Sequence, residues 1–201
     1  MKPVDPREIL DLTAYEKVRA DFLRRMIEHK RPRRIGVGDN LTFIFEDRDT
    51  VIFQIQEMLR AERAVKEEKI LDEIAVYNEL VPGPNELSAT LMIEIEDKAA
   101  IQLELDRFMG IDSGEHVWLQ IGRDYAVPGR FEEGHSKDDK ISAVHSVRFA
   151  LPEDARRAFT REPVALVVEH GDYRVRTELG EETRRALLED LRVVAAGGAS
   201  R

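Results

Sequence analysis

The chain has 201 residues, no cysteine, 31 basic against 40 acidic side chains, and a formal net charge of −9. That length suits one domain with a substantial core, and the missing cysteines exclude disulfides, thiolate nucleophiles, zinc ribbons and cysteine-ligated iron–sulfur clusters. An acidic balance repels phosphate backbones and argues against nucleic acid as a partner; no apolar run reaches membrane-spanning length and MKPVDPREIL has no signal-peptide hydrophobic region, so cytoplasm is the expected compartment.

Asp5-Pro6 predicts a short helix, with Asp5 as N-cap and proline in the first turn. Thr13 predicts the start of a longer helix, TAYEKVRADFLRRMIEHK, with Glu16 completing a capping box and Pro32 ending it. RRIGVGDNLTFIFED reads as two strands about a Gly38-Asp39-Asn40 turn. Asp49 or Thr50 opens the next helix, expected to run to about Val65, and EEKILDEIAVYNELV follows as another, stopped at Pro82-Gly83-Pro84. LSATLMIEIED alternates cleanly, with Leu87, Ala89, Leu91, Ile93 and Ile95 on one face, as in an antiparallel strand with one wet face. KAAIQLELDRFMG is a predicted helix, EHVWLQIG and ISAVHSVRFAL are predicted strands, and PEDARRAFTRE is a helix. VALVVEHGDYRVRTEL is a hairpin turning at Gly171-Asp172. EETRRALLEDLRVV is the last helix, and residues 197–201 read as a disordered tail. Residues 123–140 have little periodicity and are expected to form a functional or mobile loop, with VPGRFEE as an edge strand. The irregular mix of strands and helices predicts a single α+β domain over residues 1–196, its N-terminal helical part at about 5–31. It combines an antiparallel or mixed sheet with five to six helices.

One helix carries misplaced residues. At 100° per residue, Val51, Ile52, Ile55, Met58 and Leu59 make an apolar stripe, and Glu62 projects into it. A buried carboxylate costs several kcal/mol unless paired. Either Glu62 meets a cation such as Arg48 or Arg148, or the helix ends early and releases it to water, or it is a functional carboxylate of shifted pKa. Phe53, Gln56, Glu57, Arg60 and Arg63 lie opposite; this face is either covered by the same chain or is a docking surface for a partner.

Among the histidines, His145 falls in phase with Ile141, Ala143, Val147 and Phe149, as a satisfied core residue or a ligand. His116 shares a strand face with Trp118 and Gln120, as a binding trio or as cover for a helix. His135 sits among acids in EEGHSKDD, without the regular spacing of a calcium loop. His29 and His170 read as surface residues, and the basic run RRMIEHKRPRR as a solvated helix end. HExxH, the P-loop, GxSxG, GxGxxG and the ExxH of di-iron bundles are all missing, so no cofactor is expected. The catalytic candidates are Glu62, His145 and Arg148, the binding candidates Phe53, Gln56, Glu57, Arg60, His116 and Trp118, and the metal-ligand candidates Glu62 and His145.

The blocks RRIGVGDNLTFIFEDRDTVIFQIQEMLRAER, YNELVPGPNELSATLMIEI and KISAVHSVRFAL resemble a family of uncharacterised bacterial proteins, a domain of unknown function of about this length, with DTVIFQIQEMLRAE the most specific piece. The resemblance brings no catalytic residue. It implies a genomic setting beside rubrerythrin-like di-iron proteins and iron–sulfur oxidoreductases, hence a role in redox or peroxide metabolism. The expected function is that of an accessory protein docking on a redox partner; the alternative is an enzyme or a small-ligand or metal-binding protein built on the buried carboxylate and histidines.

Overall fold

The computed structural model describes residues 1–132 and 141–197. Within them the chain forms α1 (Leu12–Lys30), β1 (Arg34–Val37), β2 (Leu41–Glu46), α2 (Arg48–Ala61), α3 (Glu67–Asn78), β3 (Glu86–Ile93), α4 (Ile101–Asp106), β4 (Val117–Ile121), β5 (Tyr125–Phe131), β6 (Val144–Ala150), α5 (Glu153–Phe159), β7 (Val164–His170), β8 (Tyr173–Glu178) and α6 (Glu181–Gly197). The eight strands make one sheet in the order β1-β2-β3-β6-β5-β4-β7-β8, and every pairing is antiparallel. This is the expected single α+β domain.

The sheet curls into a nearly closed barrel, because alternation puts one side of every strand inward. Leu41, Phe43 and Phe45 of β2, Leu87, Ala89 and Leu91 of β3, Val147 and Phe149 of β6, and Leu119 and Leu166 of β4 and β7 fill it, all at most 1% exposed. Where β7 turns into β8, Phe108 packs edge-on against Tyr173 at 5.0 Å and joins the same core. At the opposite end, Ala155 and Phe159 of α5 and Leu187 and Leu191 of α6 complete it. Gly171 opens the two-residue β7–β8 turn at φ 56°, as expected of a glycine-first hairpin. β5 is not an edge strand, as VPGRFEE was expected to be: it pairs with β4 on one side and β6 on the other.

A second, helical core lies outside the barrel. Val51, Ile55 and Leu59 of α2 meet Ala64, Ile74 of α3, Val81 and Val4 of the N-terminal segment. Two side-chain amides pin that segment. Asn78 accepts from the Val4 N–H and donates to its carbonyl; Gln56 does the same for Leu10. No helix among the described residues is long and apolar enough to cross a membrane.

The helix boundaries correct the sequence reading where a cap was misjudged. Asp11, not Thr13, caps α1 by accepting from Ala14 N, and Asp47, not Asp49 or Thr50, caps α2 in a box with Thr50. α2 stops at Ala61, four residues short of Val65, because Arg63 adopts a left-handed φ of 50°. α4 is much shorter than KAAIQLELDRFMG predicts.

Candidate functional site

Four elements converge on one buried charge network. His29 ends α1, Arg33 lies in the short 3-10 turn before β1, Asp47 caps α2, and Asp190 comes from α6. The Arg33 side chain, 4% exposed, donates to both Asp190 oxygens at 2.7 and 2.9 Å and reaches Asp47 at 2.8 Å. His29 Nε2 donates to Asp47 Oδ2 at 2.6 Å. Asp47 Oδ1 accepts from the Thr50 N–H at 2.9 Å. Paired, forked donors of this kind are what allow charges to sit away from water.

The network lies on a cleft of about 1200 Å³ whose walls include Met1, Lys2, Pro3, Arg48, Pro84 and Glu189. Arg48 is held by Glu8 and by the Lys2 carbonyl, which keeps the cleft's rim in place. His29 is the group the network presents outward: its side chain is 33% exposed against 8% for Asp47. The Asp47 bond holds the imidazole above its ordinary pKa, with burial opposing. Burial pushes the Asp47 carboxyl up, but the His29 bond and the Arg33 charge outweigh it and leave it low. For Asp190 burial wins, and its carboxyl sits above the usual range despite Arg33.

A histidine raised in the folded state stabilises the fold fully below its unfolded pKa of about 6.5, and that contribution is lost as pH rises through the folded value. Wild type is therefore expected to exceed His29→Gln in stability most at mildly acidic pH, above the carboxylate range, and to converge on it as pH rises past neutrality. Urea melts of both proteins across that interval check this.

A polar strip separates the helical core from the barrel on the other side of Asp47. Glu46, 3% exposed, accepts from Thr50 Oγ1 at 2.5 Å, Gln54 Nε2 at 2.9 Å and Thr90 Oγ1 at 2.7 Å. Gln54 and Thr90 in turn line a second cleft of about 380 Å³, walled by Val76, Tyr77 and Leu80 of the α3 region and by Val144 and Ser146.

The structure redistributes the residues singled out in the sequence. Glu62 is not buried: it is the exposed C-cap of α2 and pairs with Lys69, because the helix ends before Glu62 can follow the apolar stripe. Arg148 pairs with Glu86 on the outer barrel face. His145, 1% exposed, faces the barrel interior, donates from Nε2 to the Ser142 carbonyl at 2.7 Å, and has Asp112 Oδ2 at 3.7 Å from Nδ1. The proposed metal pair is thus split between solvent and barrel interior. Among the described residues no group of three His, Asp or Glu is placed to hold an ion. The acidic stretch around His135 lies outside the described residues.

The Phe53 face is covered by α1, which corrects the docking-surface reading. Phe22 meets Phe53 edge-on at 5.8 Å, with the Lys30 ammonium over the Phe53 ring at 5.1 Å. Gln56 is buried against Leu10, Arg60 pairs with Glu16 at 2.6 Å, and Glu57 takes a forked pair from Arg19 and the Tyr15 hydroxyl at 2.7 Å. Arg19 holds Glu57 low, while burial and Glu57 push the Tyr15 phenol up. Trp118 is on the half-buried face of β4 and His116 lies just before the strand; His116 bonds the Glu169 carbonyl at 3.1 Å and meets His170 edge-on at 4.6 Å. Burial, then His116, lowers the His170 pKa. The sequence reading missed His29, Arg33, Asp47 and Asp190, having assigned the first two to a solvated helix end.

Comparison with known proteins is consistent with this fold. Residues 3–191 match the model of a family described as a protein of unknown function, DUF3501. A crystal structure of a novel protein of unknown function from Burkholderia pseudomallei K96243 is similar at a TM-score of 0.88 and 31% identity, covering 94% of this chain and 100% of that one. No curated protein matches the chain.

Proposed function

The chain belongs to the DUF3501 family, and from its own geometry we propose that it is an accessory binding protein whose recognition site for a small polar ligand is the cleft at His29. One observation carries this reading: a buried network of four charged residues presents a single, partly exposed imidazole to a large cleft. A stabilising surface pair leaves both partners wet and contributes little. Here the acid is sequestered, its second oxygen is used by a helix N-terminus, and the imidazole is left oriented. The cleft is lined mainly by charged side chains, with Met1, Pro3 and Pro84 as its apolar part, which suits a polar ligand better than the apolar ligand an ordinary small-molecule pocket takes.

The finer reading places the protein in the bacterial cytoplasm, beside a redox or peroxide-handling system and away from nucleic acid. It draws on the sequence resemblance and on the lack of cysteine, which removes thiols as electron carriers and favours an accessory role over electron transfer by the chain itself.

A test is small molecules released on denaturing protein purified from its native host, together with an NMR fragment screen. Ligands are expected to shift resonances around His29, Asp47 and Lys2. His29→Ala is expected to weaken binding roughly 10- to 100-fold, the loss of one hydrogen bond to a charged group at about 1.5–3 kcal/mol. Shifts confined to the Val76–Val144 cleft, or binding untouched by His29→Ala, would overturn the proposal.

A further inference from the structure

The two clefts lie on either side of the first turn of α2, and that turn joins them. His29 Nε2 donates to Asp47 Oδ2 at 2.6 Å at the mouth of the larger cleft. Thr50 binds Asp47 twice, its N–H donating to Oδ1 at 2.9 Å and its hydroxyl accepting from the Asp47 N–H at 3.0 Å. The same hydroxyl donates to Glu46 Oε2 at 2.5 Å. Glu46 then accepts from Gln54 Nε2 and Thr90 Oγ1, both in the wall of the smaller cleft. Thr50, Glu46 and Asp47 are all buried. Residues 46 and 47 point to opposite sides because they end a strand, where successive side chains alternate.

We propose that this buried chain, His29–Asp47–Thr50–Glu46–Gln54 and Thr90, couples the two clefts, so that the charge state of the imidazole at one mouth sets the polar groups in the wall of the other. Hydrogen bonds in series polarise one another, and away from water little screens them. His29 carries a two-state element, its proton. The charged groups around it are Asp47 and Asp49 of the α2 start, Arg33 of the turn before β1, and Asp190 of α6. Arg33 forks onto Asp190 and also reaches Asp47 Oδ2, the oxygen that His29 bonds, so Asp47 keeps one cation whatever the imidazole's charge and is the acceptor that registers the change. When the imidazole loses its proton, Asp47 loses a charge-assisted donor and draws more strongly on Thr50. Thr50 meets the two carboxylates with different groups, its N–H on Asp47 Oδ1 and its hydroxyl on Glu46 Oε2, and the hydroxyl also accepts from the Asp47 N–H, so a shift of Asp47 in the capping box moves the hydroxyl that Glu46 holds. This coupling stands independently of what the larger cleft takes up.

The test is an NMR titration of the intact protein that follows the His29 ring, the Glu46 side-chain carboxyl carbon and the Gln54 side-chain amide together. In wild type, Glu46 and Gln54 are expected to show an inflection at the His29 midpoint. His29→Gln is expected to abolish it. Thr50→Val, which keeps the shape and the N–H but not the hydroxyl, is expected to lose it while His29 still titrates, and Thr50→Ser to keep it. Flat Glu46 and Gln54 signals in wild type would overturn the coupling, as would an inflection that survives in His29→Gln or at full size in Thr50→Val. His29→Gln decides the matter alone should Thr50→Val not fold.

Discussion

Arg33→Met is expected to destabilise the protein by about 3–5 kcal/mol, the cost of leaving a buried ion cluster without its cation. The guanidinium is 4% exposed and serves two carboxylates that are themselves buried. Methionine keeps most of the volume, so the loss reports charge and not packing. Removal strands Asp190, already pushed up by burial, and deprives Asp47 of one of the two cations that hold it low. The direction with pH follows. Without Arg33 both carboxyls rise, and protonating them relieves the strain, so the gap between wild type and variant is expected to be widest near neutral pH and to shrink as pH falls. Denaturant melts at several pH values read this directly. A companion variant, Arg33→Met with Asp190→Leu, removes an acid along with the cation and is expected to recover part of the loss. A loss of under 1 kcal/mol at neutral pH would mean that water reaches the cluster, and the cleft floor would then not be the sequestered network described above.

The fold was largely legible because barrel strands announce themselves by period. Leu87, Ala89, Leu91 and Ile93 alternate in the sequence and all point into the barrel. The closure was not legible: nothing local says that β8 will meet β1. The site was misread for a related reason. Glu62 looked buried because a wheel assumes that the helix continues, and Arg63 ends it with a left-handed residue that glycine usually supplies. The same wheel applied to α6 would have found the real case. Asp190 stands at i+3 and i+7 from Leu187 and Thr183 and beside Leu191, all buried. Its cation, Arg33, is 157 residues away in a run that reads as wet. Only tertiary structure brings the two together, and it does so by passing α6 over the turn before β1. The Phe53 face shows the same limit: its partners Tyr15, Arg19 and Phe22 belong to a helix that carries charge on every turn and gives no sign of what it covers.

Closure of the barrel makes the second large effect. β1 and β8 share no ladder among the described residues, and the Tyr173 side chain bridges them. The Tyr173 hydroxyl donates to the Val37 carbonyl at 2.5 Å and accepts from the Asn40 N–H at 3.4 Å, while its ring packs on Phe108. Gly38, at φ 65°, leaves room for that hydroxyl: a Cβ there would lie 2.4 Å from it. Tyr173→Ala is expected to cost about 3–5 kcal/mol, as for other large aromatics truncated in a core. Tyr173→Phe keeps the ring and strands the Val37 carbonyl, at about 1–3 kcal/mol. Hydrogen exchange separates the two contributions. In Tyr173→Phe, faster exchange is expected to be confined to β1 and the start of β8, because each edge strand then has its neighbour on one side only. If the barrel were instead held shut by side-chain packing along the whole seam, Tyr173→Phe would leave those amides as protected as in wild type, and only the alanine variant would open them.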